Sequence, residues 1–148
     1  NVSRFGPRIA GCGGFINITQ NTHKVFFCGT FTAGGLKVKV EDGKVIIAQE
    51  GKQKKFLKDV EQITFNGDIA LQNKQEVMYI TERCVFQLKE DGMHLTEIAP
   101  GIDLQTQILD MMDFEPIVDR DANGEIKLMD AKLFAEGLMG LKEMKESC

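Results

Sequence analysis

The sequence predicts an α/β fold carrying additional β-hairpins, and three stretches make the case. Gly11-Cys12-Gly13-Gly14 runs directly into an amphipathic segment with Phe15, Ile16 and Ile18 as apolar positions and Thr19, Gln20 and Asn21 near its end. A nearly continuous apolar run follows from Lys24 to Phe31 (KVFFCGTF), the pattern of a strand covered on both faces. A helix feeding such a strand is half of an α/β unit. Leu36, Val38 and Val40 then alternate with Lys37, Lys39 and Glu41 up to Asp42-Gly43, and Lys44-Val45-Ile46-Ile47 returns, which is a hairpin pattern about a two-residue turn.

The remaining elements follow in order. Asn1 to Ala10 is a polar leading segment containing Pro7, and Ala33-Gly34-Gly35 ends the first strand. Gly51 to Lys58 is basic through Lys52, Lys54, Lys55 and Lys58, which suits a solvated loop or strand edge, with an anion-binding patch as the alternative. Val60 to Phe65 reads as a strand, Asn66-Gly67 as a turn, and Asp68 as the cap of a short helix through Ala70 and Leu71. Glu76 to Ile80 is a further strand, punctuated by Thr81-Glu82-Arg83. Cys84 to Leu88 and Met93 to Ile98 form a second hairpin about Asp91-Gly92. Asp103 suits the N-cap of a helix with Leu104, Ile108, Met111 and Met112 on one stripe, the methionines acting as core filler. Asp130 to Leu141 reads as a final amphipathic helix, with a fraying tail from Lys142 to Cys148. No internal repeat or linker divides the chain, so residues 1–148 are expected to form one domain.

Composition narrows the function classes. At 148 residues with 43% hydrophobic and 27% charged positions, the chain is long enough for a sizeable core. A net charge of −4 and a pI near 5.2 argue against nucleic acid or a membrane surface held by charge. No apolar run has the length of a spanning helix and no signal peptide is recognisable, so a cytoplasmic location is expected. The start at Asn1 without a methionine reads as a fragment or processed piece.

Cys12, Cys28, Cys84 and Cys148 lack C-x-x-C spacing and only His23 and His94 could join them, so no metal site is expected. Cysteines on apolar stretches read as buried reduced thiols, Cys12 being the one to test for reactivity, although a packing role is favoured there. Asp119, Asp121 and Asn123 with Gly124 resemble the start of a calcium loop. Asp130 where a bidentate Glu belongs, and Pro116 where a helix should be entering, make an acidic surface turn the better reading.

The glycine turn is the candidate site. Without Cβ atoms the backbone is bare, and a turn feeding a helix N-terminus aims free N–H groups at a phosphate, a carboxylate or a developing oxyanion. The alternative is a tight packing turn.

Five stretches occurring in order extend this reading: Asn1-Val2-Ser3-Arg4-Phe5-Gly6, Gly11 to Asn17 (GCGGFIN), Cys28 to Gly35 (CGTFTAGG), Ile80 to Phe86 (ITERCVF) and Leu95 to Gly101 (LTEIAPG). Together they resemble the C-terminal part of the family I CoA-transferases of the single-chain acetate/propionate and short-chain 3-oxoacid type, over Asn1 to about Gly140. The resemblance implies an open, Rossmann-like α/β sheet. It also implies transfer of CoA from an acyl-CoA to a short-chain carboxylic acid through a glutamyl-CoA thioester, as in short-chain fatty-acid and ketone-body metabolism. Coenzyme A is then a substrate, and no cofactor is implied. Gly13 and Gly14 take the role of amide donors to the thioester oxygen, supported by Gly11 and Cys12.

One departure matters. The family's nucleophilic glutamate, ahead of a small residue and glycine, lies upstream of the segment matching Asn1. Glu50-Gly51 and Glu136-Gly137 do not reproduce its context, and Glu82 and Glu97 match other family positions, where they position backbone or pair with Arg83. The expectation is therefore a C-terminal portion that supplies the glycine-loop wall, contains no catalytic residue of its own, is inactive alone, binds the remainder of the enzyme and self-associates. The alternatives are a non-catalytic module binding acyl-CoA or a partner, and an acyl-CoA hydrolase on the same scaffold.

Overall fold

A computed structural model describes residues 11–135 and Lys145. Helix α1 (Gly13–Asn21) leads into strand β1 (Lys24–Cys28), followed by β2 (Thr32–Ala33), β3 (Lys37–Glu41), β4 (Lys44–Gln49) and β5 (Gln53–Lys54). After α2 (Gly67–Gln72) come β6 (Glu76–Ile80), β7 (Cys84–Lys89), β8 (Gly92–Ile98), α3 (Leu104–Gln107) and β9 (Ile117–Val118). Short 3-10 turns cover Leu109–Met111 and Ala131–Phe134.

The main sheet is mixed, in the order β1-β6-β7-β8-β9. β1 and β6 run parallel, which requires a crossover, and the chain between them carries both small ladders, β2–β5 and β3–β4. β6, β7 and β8 form an antiparallel meander, and β9 joins β8 in parallel. The pairings Phe27↔Tyr79, Tyr79↔Phe86 and Phe86↔Leu95 place four side chains in one row on one face of the sheet. That face meets the core, where Phe86 and Leu95 pack with Phe31, Val45, Ile108 and Met112. A second, smaller cluster of Phe65, Ala70 and Val77 touches Phe15 and Phe27.

Both hairpins form where the sequence places them. Asp42 (φ 51) and Gly43 (φ 72) both lie in the left-handed region, which a turn matched to the strand twist demands and which explains the Asp-Gly pair. Every residue of β3 is exposed, while Val45 on β4 is buried and its N–H donates to Pro100 O at 2.8 Å.

Several expectations are corrected. β1 is not covered on both faces: Val25 is buried, but Phe26 on the opposite face is 52% exposed, because the packing with Phe15 and Phe65 lies on the face that carries Phe27. Residues 60–65 do not form a strand. In a strand residues 63 and 65 would share a face, yet Ile63 is 71% exposed and Phe65 buried. The cap of α2 is Asn66 rather than Asp68, its Oδ1 accepting from the N–H groups of Asp68 and Ile69.

Asp103 does cap α3, but the helix stops at Ile108 (φ −123, ψ −68) and resumes as a 3-10 turn. Ile108 and Met112 are nevertheless buried, so the apolar stripe still packs inward. The final helix begins as a 3-10 turn capped by Asp130, and Ala135 is extended. Its expected continuation to Leu141, together with Asn1 to Ala10, Glu136-Gly137 and Cys148, lies outside the described residues.

Asp121 Oδ1 accepts from the N–H groups of Asn123 and Glu125, so that stretch is a closed acidic turn. Among the described residues no cluster of His, Cys, Asp and Glu could hold a metal ion. Cys12, Cys28 and Cys84 are free thiols. Cys84 is buried, and burial pushes its pKa up to about 12, whereas Cys28 is exposed, contrary to the expectation of burial. No helix among the described residues is long and apolar enough to cross a membrane.

Candidate active site

The four predicted residues lie together at the start of α1. Gly13 and Gly14 are not a loop ahead of the helix, as the sequence suggests, but its first turn. Cys12 is the N-cap (φ −101, ψ 4), its carbonyl accepting from Ile16 N at 3.0 Å, and its side chain offers the helix no cap. The N–H groups of the first turn therefore have no intrahelical acceptor and, among the described residues, no side-chain cap from Cys12. Gly11, Gly13 and Gly14 are exposed, and a Cβ built on any of them meets nothing within 4 Å. Among the described residues nothing covers the Cβ side of these glycines.

Phe15, the next residue, is also a wall of a cleft of about 460 Å³. The cleft opens where the parallel strands β1 and β6 end, at Cys28-Gly29-Thr30 and Ile80-Thr81. Ligands in α/β sheets collect at the carboxyl ends of parallel strands, because the loops leaving them diverge there. Phe15, Phe27, Phe56, Tyr79, Met93 and Phe114 supply apolar wall. Phe27 sits between Phe15 (centroids 5.7 Å) and Tyr79 (4.9 Å), both stacked on it. Burial raises the pKa of the Tyr79 phenol. Phe56 O accepts from Asp113 N at 3.0 Å, tying the basic stretch to the segment that carries Phe114. Lys55 is exposed at the rim, its Nζ donating to Thr30 O at 2.6 Å.

Below the cleft lies a charged cluster that the sequence reading missed in part. Arg83 is fully buried, its guanidinium 4.8 Å from the centre of the Phe31 ring. Its Nε donates to Glu82 Oε1 at 2.8 Å, and its Nη1 donates to Glu50 Oε2 at 2.8 Å and to Gln107 O at 2.9 Å. Glu50 also accepts from Thr32 Oγ1 and from Gly51 N. Glu82 Oε2 accepts from Phe31 N at 2.8 Å, so one carboxylate holds both the arginine and the loop leaving β1. Burial works against charge on Glu50, but the bonds from Arg83, Thr32 and Gly51 outweigh it and leave its pKa below the usual carboxylate value. Burial likewise opposes the Arg83 charge, and Glu50 and Glu82 more than offset it.

Pairing of Glu82 with Arg83 agrees with the sequence reading. Glu97 does not join them: it binds Lys127 instead. Glu50, which the sequence leaves inside a lysine-rich stretch, is fixed by this cluster and is no free nucleophile. Nothing local marks it, because the pairing spans 33 positions.

No family model matches the chain. In sequence and in fold the chain is nonetheless similar to a portion of CoA-transferases. Acetate CoA-transferase YdiF of Escherichia coli K12 is 54% identical over 139 residues, which is 94% of this chain and 25% of that protein. Caffeate CoA-transferase of Acetobacterium woodii is 53% identical over 146 residues, 95% of this chain and 27% of the relative. The crystal structure of the E. coli O157:H7 acyl-CoA transferase YdiF as a thioester complex with CoA superimposes with a TM-score of 0.86 over 95% of this chain and 27% of its own. The apoenzyme gives the same TM-score over 26% of its chain. The chain thus spans about a quarter of the length of the relatives it matches.

Proposed function

We propose that this chain supplies one wall of an acyl-CoA:carboxylate CoA-transferase site. Its likeness, in sequence and at a TM-score of 0.86, to a transferase structure containing a CoA thioester carries the reading. In the proposed reaction a glutamate outside these residues attacks the acyl-CoA carbonyl. The CoA thiolate leaves, giving an acyl–glutamyl anhydride, and then attacks the glutamyl carbonyl of that anhydride, releasing the acyl group as its carboxylate. The resulting glutamyl-CoA thioester is then attacked by the acceptor carboxylate, so turnover is ping-pong. Gly13 and Gly14, with Gly11 and Cys12 shaping the turn, offer backbone amides to the carbonyl oxygen as charge develops on it. One such donor is typically worth about 2.7–4 kcal/mol in the transition state. The exposed first turn of α1, without a side-chain cap from Cys12, and the place of the next residue, Phe15, in the cleft wall support that role.

The test is to combine the chain with the remaining segment of the transferase, add acyl-CoA, trap the covalent intermediate with hydroxylamine and map it by mass spectrometry. The modified glutamate is expected outside these residues. Modification of Glu50 or Glu82 would contradict the assignment. Self-association of the chain alone, covering surface meant for the remainder, is expected in sedimentation, and a strict monomer at high concentration counts against it.

A further inference from the structure

We infer that the cleft at the ends of β1 and β6 is a subsite for a carboxylic acid with a bulky, ring-sized apolar tail, with Lys55 taking the carboxylate. The walls argue for the tail. Five aromatic rings, those of Phe15, Phe27, Phe56, Tyr79 and Phe114, line about 460 Å³. That volume is within the range of sites that enclose small organic ligands. An acetate-sized acid would leave most of this wall without contact partners, and apolar walls gain from being filled. The Phe15–Phe27–Tyr79 stack presents ring surface against which a planar or arylalkyl tail can lie.

The rim argues for the carboxylate. Lys55 is a cation on the cleft's lining, and among the described residues its ammonium donates to Thr30 O alone. An acid held by both ends would place its carboxylate at the rim, on the side where β1 and β6 end. The role of that acid as acyl acceptor or donor rests on the transferase reading; the binding itself does not.

The chain carries its own reporter, since Tyr79 is its single tyrosine and there is no tryptophan. Titrating the 148-residue chain with 3-phenylpropionate should change Tyr79 fluorescence saturably, at least about tenfold more tightly than propionate. Lys55→Gln, at an exposed position that leaves the core intact, should weaken binding about three- to fivefold. The uncharged analogue 3-phenylpropionamide should lose the same factor with the unaltered chain. Equal affinity for propionate, no saturation with 3-phenylpropionate, or an unchanged affinity in Lys55→Gln would each overturn the inference. Aryl-acid binding by a chain whose recombined enzyme transfers no CoA would keep the subsite and remove the transferase reading. Transfer without aryl-acid binding would do the reverse.

Discussion

Replacing Arg83 with methionine should be among the most destabilising single changes in this chain. The side chain is fully buried and serves four neighbours at once: Glu82, Glu50, Gln107 O and the face of Phe31. Methionine fills much of the volume but leaves two carboxylates facing an apolar group. Glu82 is the more enclosed, with a side chain 16% exposed against 31% for Glu50. Removing one member of a buried pair typically costs about 3–5 kcal/mol, since the partner's desolvation is no longer compensated. For a domain of this size, 1 kcal/mol corresponds to about 2–4 °C of melting temperature, so Arg83→Met should melt about 6–20 °C lower. Circular dichroism melts at neutral pH measure this.

The carboxylate argument makes a second demand. Adding Glu82→Gln to Arg83→Met should recover part of the loss, because the stranded charge is gone, whereas Glu82→Gln alone should destabilise. Melting of Arg83→Met within 2 °C of the parent, or two losses that simply add, would refute the view that this ion cluster holds the loop leaving β1.

Three further outcomes follow from the same structure. His94 is buried between Asp119 (Nδ1, 2.6 Å) and Asp91 (Nε2, 2.7 Å), with Lys89 on Asp119, and the hydrogen bond to Asp119 and then that to Asp91 raise its pKa. A raised folded value stabilises the protein below the unfolded histidine pKa of about 6.5, and this is lost as pH rises through the folded value. The melting-temperature gap between the parent and His94→Gln should therefore shrink from pH 6 to pH 9, and a constant gap contradicts the clasp. Gly51→Ala puts a Cβ 2.5 Å from Ala33 O and 2.6 Å from Thr32 Oγ1, beside the Glu50 cluster, and should cost about 1–3 kcal/mol in denaturant titrations. Gly14→Ala meets open space inside a helix and should be neutral or stabilise by up to about 1 kcal/mol, so a large loss there would contradict the helical first turn.

What the sequence made legible was whatever depends on neighbours in the chain. Asp42-Gly43 and Asp91-Gly92 mark their hairpins because turn geometry is local, and Asp103 marks its cap for the same reason. The glycine turn and the helix behind it were legible too, although the glycines belong to the helix itself. Illegible was everything set by pairing at a distance. β1 reads as doubly covered because Phe26 and Phe27 look alike in sequence; they point to opposite faces, and the packing with Phe15, Phe65 and Tyr79 lies on the Phe27 face. Residues 60–65 carry strand-forming side chains, yet burying Phe65 beside α2 takes precedence over extended pairing. Tyr79 and Phe56 join the cleft through the β1–β6 register and the Phe56–Asp113 bond, and Glu50 reaches Arg83 across the β4–β5 corner.

The most direct test of the central claim is transfer of CoA from propionyl-CoA to acetate, followed as acetyl-CoA formed, with this chain alone and then with the remaining segment of the transferase added. Activity is expected only in the mixture, and it should fall when the chain carries Gly13→Val, whose side chain leaves the amide in place but shields it from the substrate oxygen; complete loss of one such donor, about 10²–10³-fold, is the upper bound. Turnover by the chain alone, or a mixture that associates yet forms no acetyl-CoA, would contradict the assignment of this chain as one wall of a transferase site.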